Sequence, residues 1–211
     1  MPLRVLIVRH GETIGNTKKL IQGQSNGPET WLNEVGRKQA ALCRDGLQSV
    51  SINLAFSSDL KRAAQTAEII LEPHHKVPLE LVEALREGHM GEIQGLVYHP
   101  DLYNPYPPSA ETVDSMKARV KSYWESSIVP LAQRPDTADV TVLLVSHAGV
   151  LSALLIAFQD LGYPFPGGWP EDTHDLNSRI PHMLNTSITT VEVQADGTGE
   201  IVRFADVSHM K

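Results

Sequence analysis

The chain has 211 residues, and its hydrophobic content of 41% is normal for a soluble globular protein with a sizeable core. Its formal net charge of −7 argues against nucleic acid or an anionic membrane surface as the main partner, because both require a basic face. No segment approaches the roughly 18 continuous apolar residues that would span a bilayer. These properties favour a small ligand bound in a pocket.

The cysteine content and the start of the sequence both bear on the compartment. Cys43 is the only cysteine, so no intrachain disulfide can form, which fits a reducing compartment. The short apolar stretch at the beginning leads into Arg9 and His10 rather than into a small-residue cleavage site, so we expect no signal peptide. We therefore expect a cytoplasmic protein.

Three segments share one pattern, in which an apolar strand is followed by polar residues at its end. The expected strands are Leu3–Val8, Ile52–Phe56 and Val140–Val145. A helix at about Leu60–Leu71 follows the second strand, and a helix that runs through about Phe158 follows the third. Strands that alternate with helices predict an α/β fold. We expect a three-layer αβα sandwich with a mostly parallel central sheet and helices on both faces, in one domain covering residues 1–211.

Two more helices are predicted from capping and apolar positions. Asn33 is expected to cap a helix that runs to about Leu47. A second helix is expected over Thr112–Ile128, with Glu111 and Asp114 in its first turn, where the helix dipole favours acidic residues. The inward-facing candidates of the first of these helices include Val35, Ala40, Leu42 and Cys43.

The rest of the chain predicts a hairpin and two long loops. Ser187–Val193 and Glu200–Phe204 are joined through Asp196-Gly197, which is typical of a hairpin turn. The stretches Gln22–Trp31 and Asp160–Asp175 are long enough to be walls or lids of a binding site.

Residues suited to phosphate chemistry stand where these elements meet. In open α/β sheets ligands bind outside the carboxyl ends of the strands, where we expect Arg9, His10 and His147. A guanidinium fork suits phosphate or carboxylate, and a histidine is nucleophilic when neutral and acidic when charged. Arg62 is expected in the first turn of a helix, whose free N–H groups already attract anions. If protonated, His147 would be a third cation on a phosphoryl group.

The proton donor of such a site stays open at this stage. A leaving alkoxide needs an acid, and by position alone the candidates are Glu12, Glu83, Glu87 and Glu92. Asn16 is either a hydrogen-bond donor to a phosphate oxygen or a turn residue after Gly15. The remaining polar residues of this region, Ser57 and Ser58, are expected to be ordinary capping residues.

Four blocks, in order along nearly the whole chain, resemble the histidine phosphatase (phosphoglycerate-mutase-like) superfamily. They are RHGET at 9–13 with Asn16, SSDLxRAxQTA at 57–67, Leu85-Arg86-Glu87, and SHxGV at 146–150. The resemblance implies a phosphoglycerate-mutase-like fold and a phosphoryl-transfer site that needs neither a metal nor a cofactor.

The resemblance also implies a role for each site residue. His10 would attack phosphorus and become phosphohistidine, and Glu87 would protonate the leaving group and then accept a proton from the attacking water. The phosphoryl oxygens would be held by Arg9, Arg62, His147 and, in an assisting role, Asn16. Three cations and a helix end would supply the stabilisation that Mg²⁺ gives elsewhere.

The chain departs from the family pattern at two places. The usual Ser-His-Gly-Gly is Ser146-His147-Ala148-Gly149 here, a change of one methyl group that we expect to leave the chemistry intact. The loop Gln22–Trp31 is longer than the compact form common in the family, so the entrance to the pocket is expected to differ.

The segment after Glu87 favours a phosphatase acting on a small phosphorylated metabolite. Cofactor-dependent phosphoglycerate mutases carry an arginine and a lysine in this segment, where the chain has Gly88 and Tyr98. The alternatives are such a mutase, a sugar bisphosphatase of the kind that acts on fructose 2,6-bisphosphate, and a catalytically dead phosphate-binding module. The last is disfavoured because His10, Arg62 and His147 are all present.

The sequence does not name the phosphate ester. Specificity is expected in Gln22–Trp31, His89–Pro108 and Asp160–Asp175. An aromatic, arginine-poor wall would suit a less charged ester than a bisphosphate. The aromatic residues that either line this wall or pack the loops onto the body are Trp31, Tyr98, Tyr103, Tyr106, Phe165 and Trp169. No exposed apolar helix face stands out, so the oligomeric state is left open.

Overall fold

A six-stranded mixed sheet forms the centre of the protein, in a computed structural model that describes residues 2–134, 140–169 and 183–211. The strands are β1 (Leu3–Arg9), β2 (Leu54–Ser58), β3 (Leu79–Val82), β4 (Thr141–Ser146), β5 (Ile188–Val193) and β6 (Gly199–Asp206). The helices are α1 (Ile14–Thr17), α2 (Glu34–Leu47), α3 (Lys61–Ile70), α4 (Val113–Tyr123), α5 (Val129–Ala132) and α6 (Ala148–Asp160).

The strand order β3-β2-β4-β1-β5-β6 places the carboxyl ends of the first four strands along one edge. The pairs β1–β4, β2–β4 and β2–β3 are parallel, whereas β5 and β6 pair antiparallel beyond β1. The α/β prediction is confirmed. The strand β3 was not among the strands expected from the sequence.

Helices cover both faces of this sheet because alternate residues of each strand point to opposite sides. On one face Val5 and Leu144 pack in a cluster with Trp124 and Phe158, which come from the segment after α4 and from α6. On the other face Leu6 and Leu143 pack in a second cluster with residues of α2 and α3, such as Cys43, Ala63 and Ala67.

Helix α2 begins at its expected cap but turns a different face inward. The Asn33 side chain accepts from the Gly36 amide at 2.8 Å. Ala40 and Cys43 are buried as expected, but Val35 and Leu42 are 49% and 43% exposed, so their assignment to the core was wrong. The helical period instead aligns Gly36, Ala40, Cys43 and Leu47 on the buried side.

The expected helix over Thr112–Ile128 is divided in the structure. Thr112 is the N-cap of α4, so Asp114 lies in the first turn but Glu111 lies just before it. A π-helical turn, Trp124–Ile128, then leads into α5. The C-terminal hairpin is formed by β5 and β6.

Helix α6 takes in the first residue of the expected loop Asp160–Asp175 and ends there. The part of that loop at 170–175 lies outside the described residues. Among the described residues, none of the helices has both the length and the apolar character needed to cross a membrane.

Candidate active site

Two neighbouring strands bring a pair of histidines together at the carboxyl edge of the sheet. Arg9 and Ser146 are the last residues of β1 and β4 and are partners in the parallel register. His10 and His147 follow directly, and their ring centroids lie 5.2 Å apart. The register of the sheet therefore accounts for the contact between residues 137 positions apart in sequence.

His10 is held as a buried imidazole with a defined tautomer. Its Nδ1 lies 2.7 Å from the carbonyl oxygen of Gly11, and because a carbonyl only accepts, Nδ1 carries the proton and Nε2 the lone pair. The ring is 4% exposed, and burial, followed by the charges of Arg62 and Arg9, holds the pKa of His10 well below its ordinary value of 6.5. A neutral ring with a free Nε2 lone pair can act as a nucleophile.

Both predicted arginines lie beside the histidines. Arg62 in the first turn of α3 is 1% exposed and donates to the carbonyl oxygens of Gly23 (2.7 Å) and Ser25 (3.2 Å). Burial lowers the pKa of Arg62 to about 10, with Glu87 opposing the shift and Arg9 adding to it, so Arg62 stays charged at neutral pH. Arg9 donates to the Met183 carbonyl oxygen at 2.6 Å.

His147 differs from the expected third cation. The ring is fully buried, and its Nε2 lies 2.8 Å from Ser58 Oγ. Burial, then the charges of Arg62, His10, Arg9 and Arg119, hold the pKa of His147 well below 6.5. Among the protein groups alone the ring is therefore neutral, and only a bound anion would raise its pKa.

Three buried nitrogen atoms of this group have no hydrogen-bond partner among the described residues. They are Arg9 Nε, Arg62 Nε and His147 Nδ1. An unsatisfied buried donor costs about 1–3 kcal/mol, and more when it is charged. An oxyanion beside His10 would be a suitable acceptor for such donors.

Of the four candidate carboxylates, Glu87 is the one that acts electrostatically on both Arg9 and Arg62. Its Oε2 accepts from the Gly149 amide at 3.1 Å, at the N-terminus of α6. The other three have different partners: Glu83 pairs with Arg86, Glu92 bonds Ser109, and Glu12 accepts from Asn33.

The backbone that carries Glu87 is held at four successive carbonyl oxygens. Arg119 Nη1 donates to those of Ala84 and Arg86, at 2.6 and 3.1 Å. Ser146 Oγ donates to that of Leu85 at 2.8 Å, and Gln24 Nε2 to that of Glu87 at 3.0 Å.

Two arginine–carboxylate forks extend this support. Arg119 donates twice to Glu111, at 2.9 and 2.7 Å, and Arg86 donates twice to Asp59, at 2.7 and 2.6 Å. Such bidentate pairs fix orientation as well as distance. The Arg86 fork joins the segment of Glu87 to the loop between β2 and α3, and the Glu111 fork orients Arg119, which holds that segment against α4.

Asn16 has a structural role in addition to any role in binding. Its Oδ1 accepts from the Thr13 amide at 3.0 Å, which closes a capping box at the start of α1. The side-chain oxygen of Asn16 therefore bonds the local backbone, as a structural role requires. Its amide nitrogen has no acceptor among the described residues and is available to donate.

A family model described as the histidine phosphatase superfamily (branch 1) matches residues 5–207. This chain belongs to the histidine phosphatase superfamily. A probable phosphatase of Schizosaccharomyces pombe is 31% identical to it over 99% of this chain and 96% of its own length. A metal-independent phosphoserine phosphatase of Arabidopsis thaliana is 30% identical over 98% of this chain and 82% of its own. Phosphoglycerate mutases also occur among the relatives.

The solved structures agree with the fold. The YhfR protein of Bacillus stearothermophilus superposes with a TM-score of 0.80 at 29% identity and covers 99% of this chain and 100% of its own. The expected family and the expected phosphoglycerate-mutase-like fold are thus confirmed. The general prediction of a phosphatase is confirmed as well.

In this histidine phosphatase the departure from the family pattern falls at Ala148, whereas a side chain at the next position would have to displace the Glu87 carboxylate. A Cβ atom built on Gly149 would overlap Glu87 Oε1. Ala148 meets no such restriction and is partly exposed as the first residue of α6. The structure therefore explains why the second glycine of the pattern is kept.

The aromatic residues of the long loops divide into two groups. Tyr103 lies between Tyr98 and Tyr106 in tilted ring contacts, with ring centroids 5.8 and 6.3 Å away. Burial, followed by the charges of Tyr98, Tyr106 and Glu87, raises the pKa of Tyr103, so Tyr103 lies within electrostatic range of the candidate acid. Phe165 and Trp169 instead pack against the core, which is the alternative in which aromatic residues hold a loop onto the body of the protein.

The expected loop Gln22–Trp31 lies against the site through its backbone and through Gln24. Sequence reasoning missed the support given by Ser58, Asp59, Ser146 and Arg119. The first three lie inside the family blocks, which was a usable signal. Arg119 had none, because the carbonyl oxygens that it holds, those of Ala84 and Arg86, are distant in sequence.

Among the residues at 2–134, 140–169 and 183–211, no group of three or more histidine, cysteine, aspartate or glutamate side chains is arranged to hold a metal ion.

Proposed function

We propose that this histidine phosphatase hydrolyses a small phosphate monoester through a phosphohistidine on His10. The observation that carries the proposal is the arrangement around His10, a neutral buried ring with a free Nε2 lone pair. It contacts His147 and is acted on by Arg9 and Arg62, and each of these three residues has a buried nitrogen without a partner among the described residues. Preorganised donors that await developing charge are a main source of catalysis in such sites.

In the first step His10 Nε2 attacks phosphorus and the ester P–O bond breaks. Arg9, Arg62, the Nδ1–H of His147 and the amide nitrogen of Asn16 hold the phosphoryl oxygens. The leaving alkoxide takes a proton from Glu87, which is left as a carboxylate. The products of this step are the free alcohol and phosphohistidine.

In the second step Glu87 accepts a proton from water, whose oxygen attacks phosphorus. The N–P bond breaks, His10 recovers its Nε2 lone pair, and inorganic phosphate leaves. The positive charge and hydrogen bonds come from protein groups throughout, so the proposed reaction needs no metal ion.

For the substrate we propose an ester with an uncharged, partly apolar leaving group. The cluster of Tyr98, Tyr103 and Tyr106 offers rings rather than cations, and its central member Tyr103 lies within electrostatic range of Glu87. A second phosphate or a carboxylate would lack a partner at Gly88 and Tyr98, where mutases carry arginine and lysine. The cytoplasmic location stays a prediction from the cysteine content.

The test is the hydrolysis of an aryl phosphate in the presence of a chelator. The wild-type protein should release phosphate undiminished by the chelator, and His10→Ala should release none. The control is His75→Ala, a change at an exposed histidine whose one hydrogen bond is local. Full activity in His10→Ala would overturn the mechanism, and loss of wild-type activity with the chelator would overturn its metal independence. Exchange of 3- and 2-phosphoglycerate after priming, with no net hydrolysis, would show a mutase.

A further inference from the structure

We propose that Ser58 is a positioning residue that sets the tautomer of His147, so that Nδ1 presents a proton to a phosphoryl oxygen. Ser58 does not itself touch the substrate in this proposal. The expected effect of Ser58 on turnover rests on the proposed function. The tautomer of His147 does not depend on it.

The hydroxyl of Ser58 has two hydrogen-bond neighbours, and the direction of the bond is fixed for one of them. Ser58 is the last residue of β2 and is fully buried. Its Oγ accepts from the Leu60 amide at 3.2 Å and lies 2.8 Å from His147 Nε2. Because the amide can only donate, a hydroxyl lone pair is committed there and the hydroxyl proton is free for another acceptor.

The two possible arrangements of the proton leave different groups unsatisfied. If Ser58 donates to Nε2, its proton is bonded and His147 carries its own proton on Nδ1. If instead Nε2 donates to Ser58, the serine proton has no acceptor among the described residues, and Nδ1 is a bare buried lone pair. The first arrangement leaves only the Nδ1 proton without a partner, whereas the second leaves both the serine proton and the Nδ1 lone pair. Because each unsatisfied buried group costs free energy, Ser58 donates to Nε2.

The charges around His147 favour the same arrangement. The groups that act on the ring are Arg62, His10, Arg9 and Arg119, and all of them oppose a positive imidazole. The ring is therefore neutral and has one proton to place. With that proton on Nδ1, His147 donates to an anion held by the arginines; with it on Nε2, the Nδ1 lone pair would repel that anion.

Ser57 provides a matched control for this proposal. It is the neighbouring residue in β2 and is equally buried, and its Oγ donates to the Ser58 carbonyl oxygen at 2.9 Å rather than to a histidine. Loss of the Ser57 hydroxyl removes one buried hydrogen bond, and loss of the Ser58 hydroxyl removes two, those with Leu60 and with His147. Only loss of the Ser58 hydroxyl removes the partner of Nε2.

The direct test is nitrogen NMR of the wild-type protein with labelled histidines, assigned with the His147→Gln variant. We expect His147 to show a protonated Nδ1 and an unprotonated Nε2 near neutral pH. A proton on Nε2 would overturn the proposal, whether or not the protein turns over any ester.

The second test compares Ser58→Ala, Ser58→Thr and Ser57→Ala for binding of inorganic vanadate and for kcat on an aryl phosphate. Ser58→Ala should lower both by about tenfold to a hundredfold, the loss expected when a donor to an anion is misplaced. Ser57→Ala should stay near wild type, and Ser58→Thr should recover most of the loss.

Equal losses in Ser58→Ala and Ser57→Ala, or an unchanged tautomer in Ser58→Ala, would show a merely structural hydroxyl. A wild-type protein that hydrolyses no ester would instead refute the proposed function and leave the NMR result standing.

Discussion

The amide nitrogen of Gly149 donates to Oε2 of Glu87 at 3.1 Å, and the same glycine leaves no room for a side chain against that carboxylate. The contact joins the loop after β3 to the N-terminus of α6, directly beyond His147. Since His147 and Gly149 lie on one continuous segment, the structure fixes the distance between the proposed acid and the proposed phosphate-binding histidine.

Replacement of Gly149 by alanine should displace Glu87 without removing it. We expect kcat on an alkyl phosphate to fall by about tenfold to a hundredfold, because general acid catalysis by a positioned carboxyl contributes about 10²–10⁴ in rate. An aryl phosphate with a good leaving group should be affected less, since it needs less protonation. Steady-state kinetics on the two esters measures the difference.

The matched control is Ala148→Gly, which restores the glycine pair of the family. It should change kcat by less than about threefold, because it removes one methyl group and leaves the amide nitrogen of Gly149 in place to donate to Glu87. An equal loss in both variants, or an equal loss on both esters for Gly149→Ala, would contradict the placement of the acid.

The buried histidines make the stability of the protein depend on pH. Burial and the neighbouring arginines hold the pKa values of His10 and His147 below 6.5, so at mildly acidic pH the unfolded chain binds more protons than the folded protein. Stability should therefore be highest above pH 6.5 and fall as the pH drops below it, by at most about 1.4 kcal/mol per pH unit for each histidine.

Urea unfolding at a series of pH values between about 7.5 and 5 measures this dependence. The free energy of unfolding should change less steeply with pH in His10→Gln, because this variant lacks one histidine whose pKa is lowered by folding. A free energy of unfolding that rises as the pH falls through this range would contradict the burial of neutral imidazoles.

The fork between Arg119 and Glu111 should stabilise both the fold and the acid. Arg119→Met removes the ion pair and the donors to the carbonyl oxygens of Ala84 and Arg86. We expect a loss of about 2–4 kcal/mol in the free energy of unfolding, the range for breaking a largely buried pair. The measurement is urea denaturation, with kcat on the alkyl phosphate as a second readout.

Lys121→Met on the same helix is the control for that change. Lys121 pairs with Glu125 at 4.0 Å on the surface, and exposed pairs of this kind contribute about 0–1 kcal/mol. If the free energy of unfolding falls no more in Arg119→Met than in Lys121→Met, the fork does not support the fold around the site.

Sequence reasoning placed the candidate site residues at the sheet edge where the structure has them, but it identified few of the residues that support them, for a physical reason. His10, His147 and Arg62 come at strand ends or at a helix start, positions that a local pattern reveals. Glu87 could be singled out only through the family resemblance, because its segment is a loop held by contacts from other elements. The neutrality of His147 depends on total burial, which no sequence pattern measures.

The errors in the core have a similar origin. Val35 and Leu42 are apolar and helical, yet the buried side of α2 is set by the close approach of its backbone to residue 12 at Gly36, where a Cβ atom would overlap the Glu12 carbonyl oxygen. That contact turns the helix so that both residues face outward. Only the packed structure contains this information.

The tyrosine cluster should set the preference for the leaving group. Tyr103→Ala should raise KM several-fold for naphthyl phosphate, which can stack on the cluster, and leave KM for phosphoserine nearly unchanged. Tyr103→Phe keeps the ring and should behave like the wild type. Equal changes for the two esters in Tyr103→Ala would show that the ring does not contact the leaving group.

The central claim is a covalent phosphoryl group on His10. Rapid mixing of the wild-type protein with radiolabelled aryl phosphate, quenching in alkali and peptide mapping would locate it. We expect label that is stable in alkali, labile in acid, on His10 alone, and formed fast enough to account for turnover. Multiple turnovers without label on His10, or label on another residue, would contradict the account.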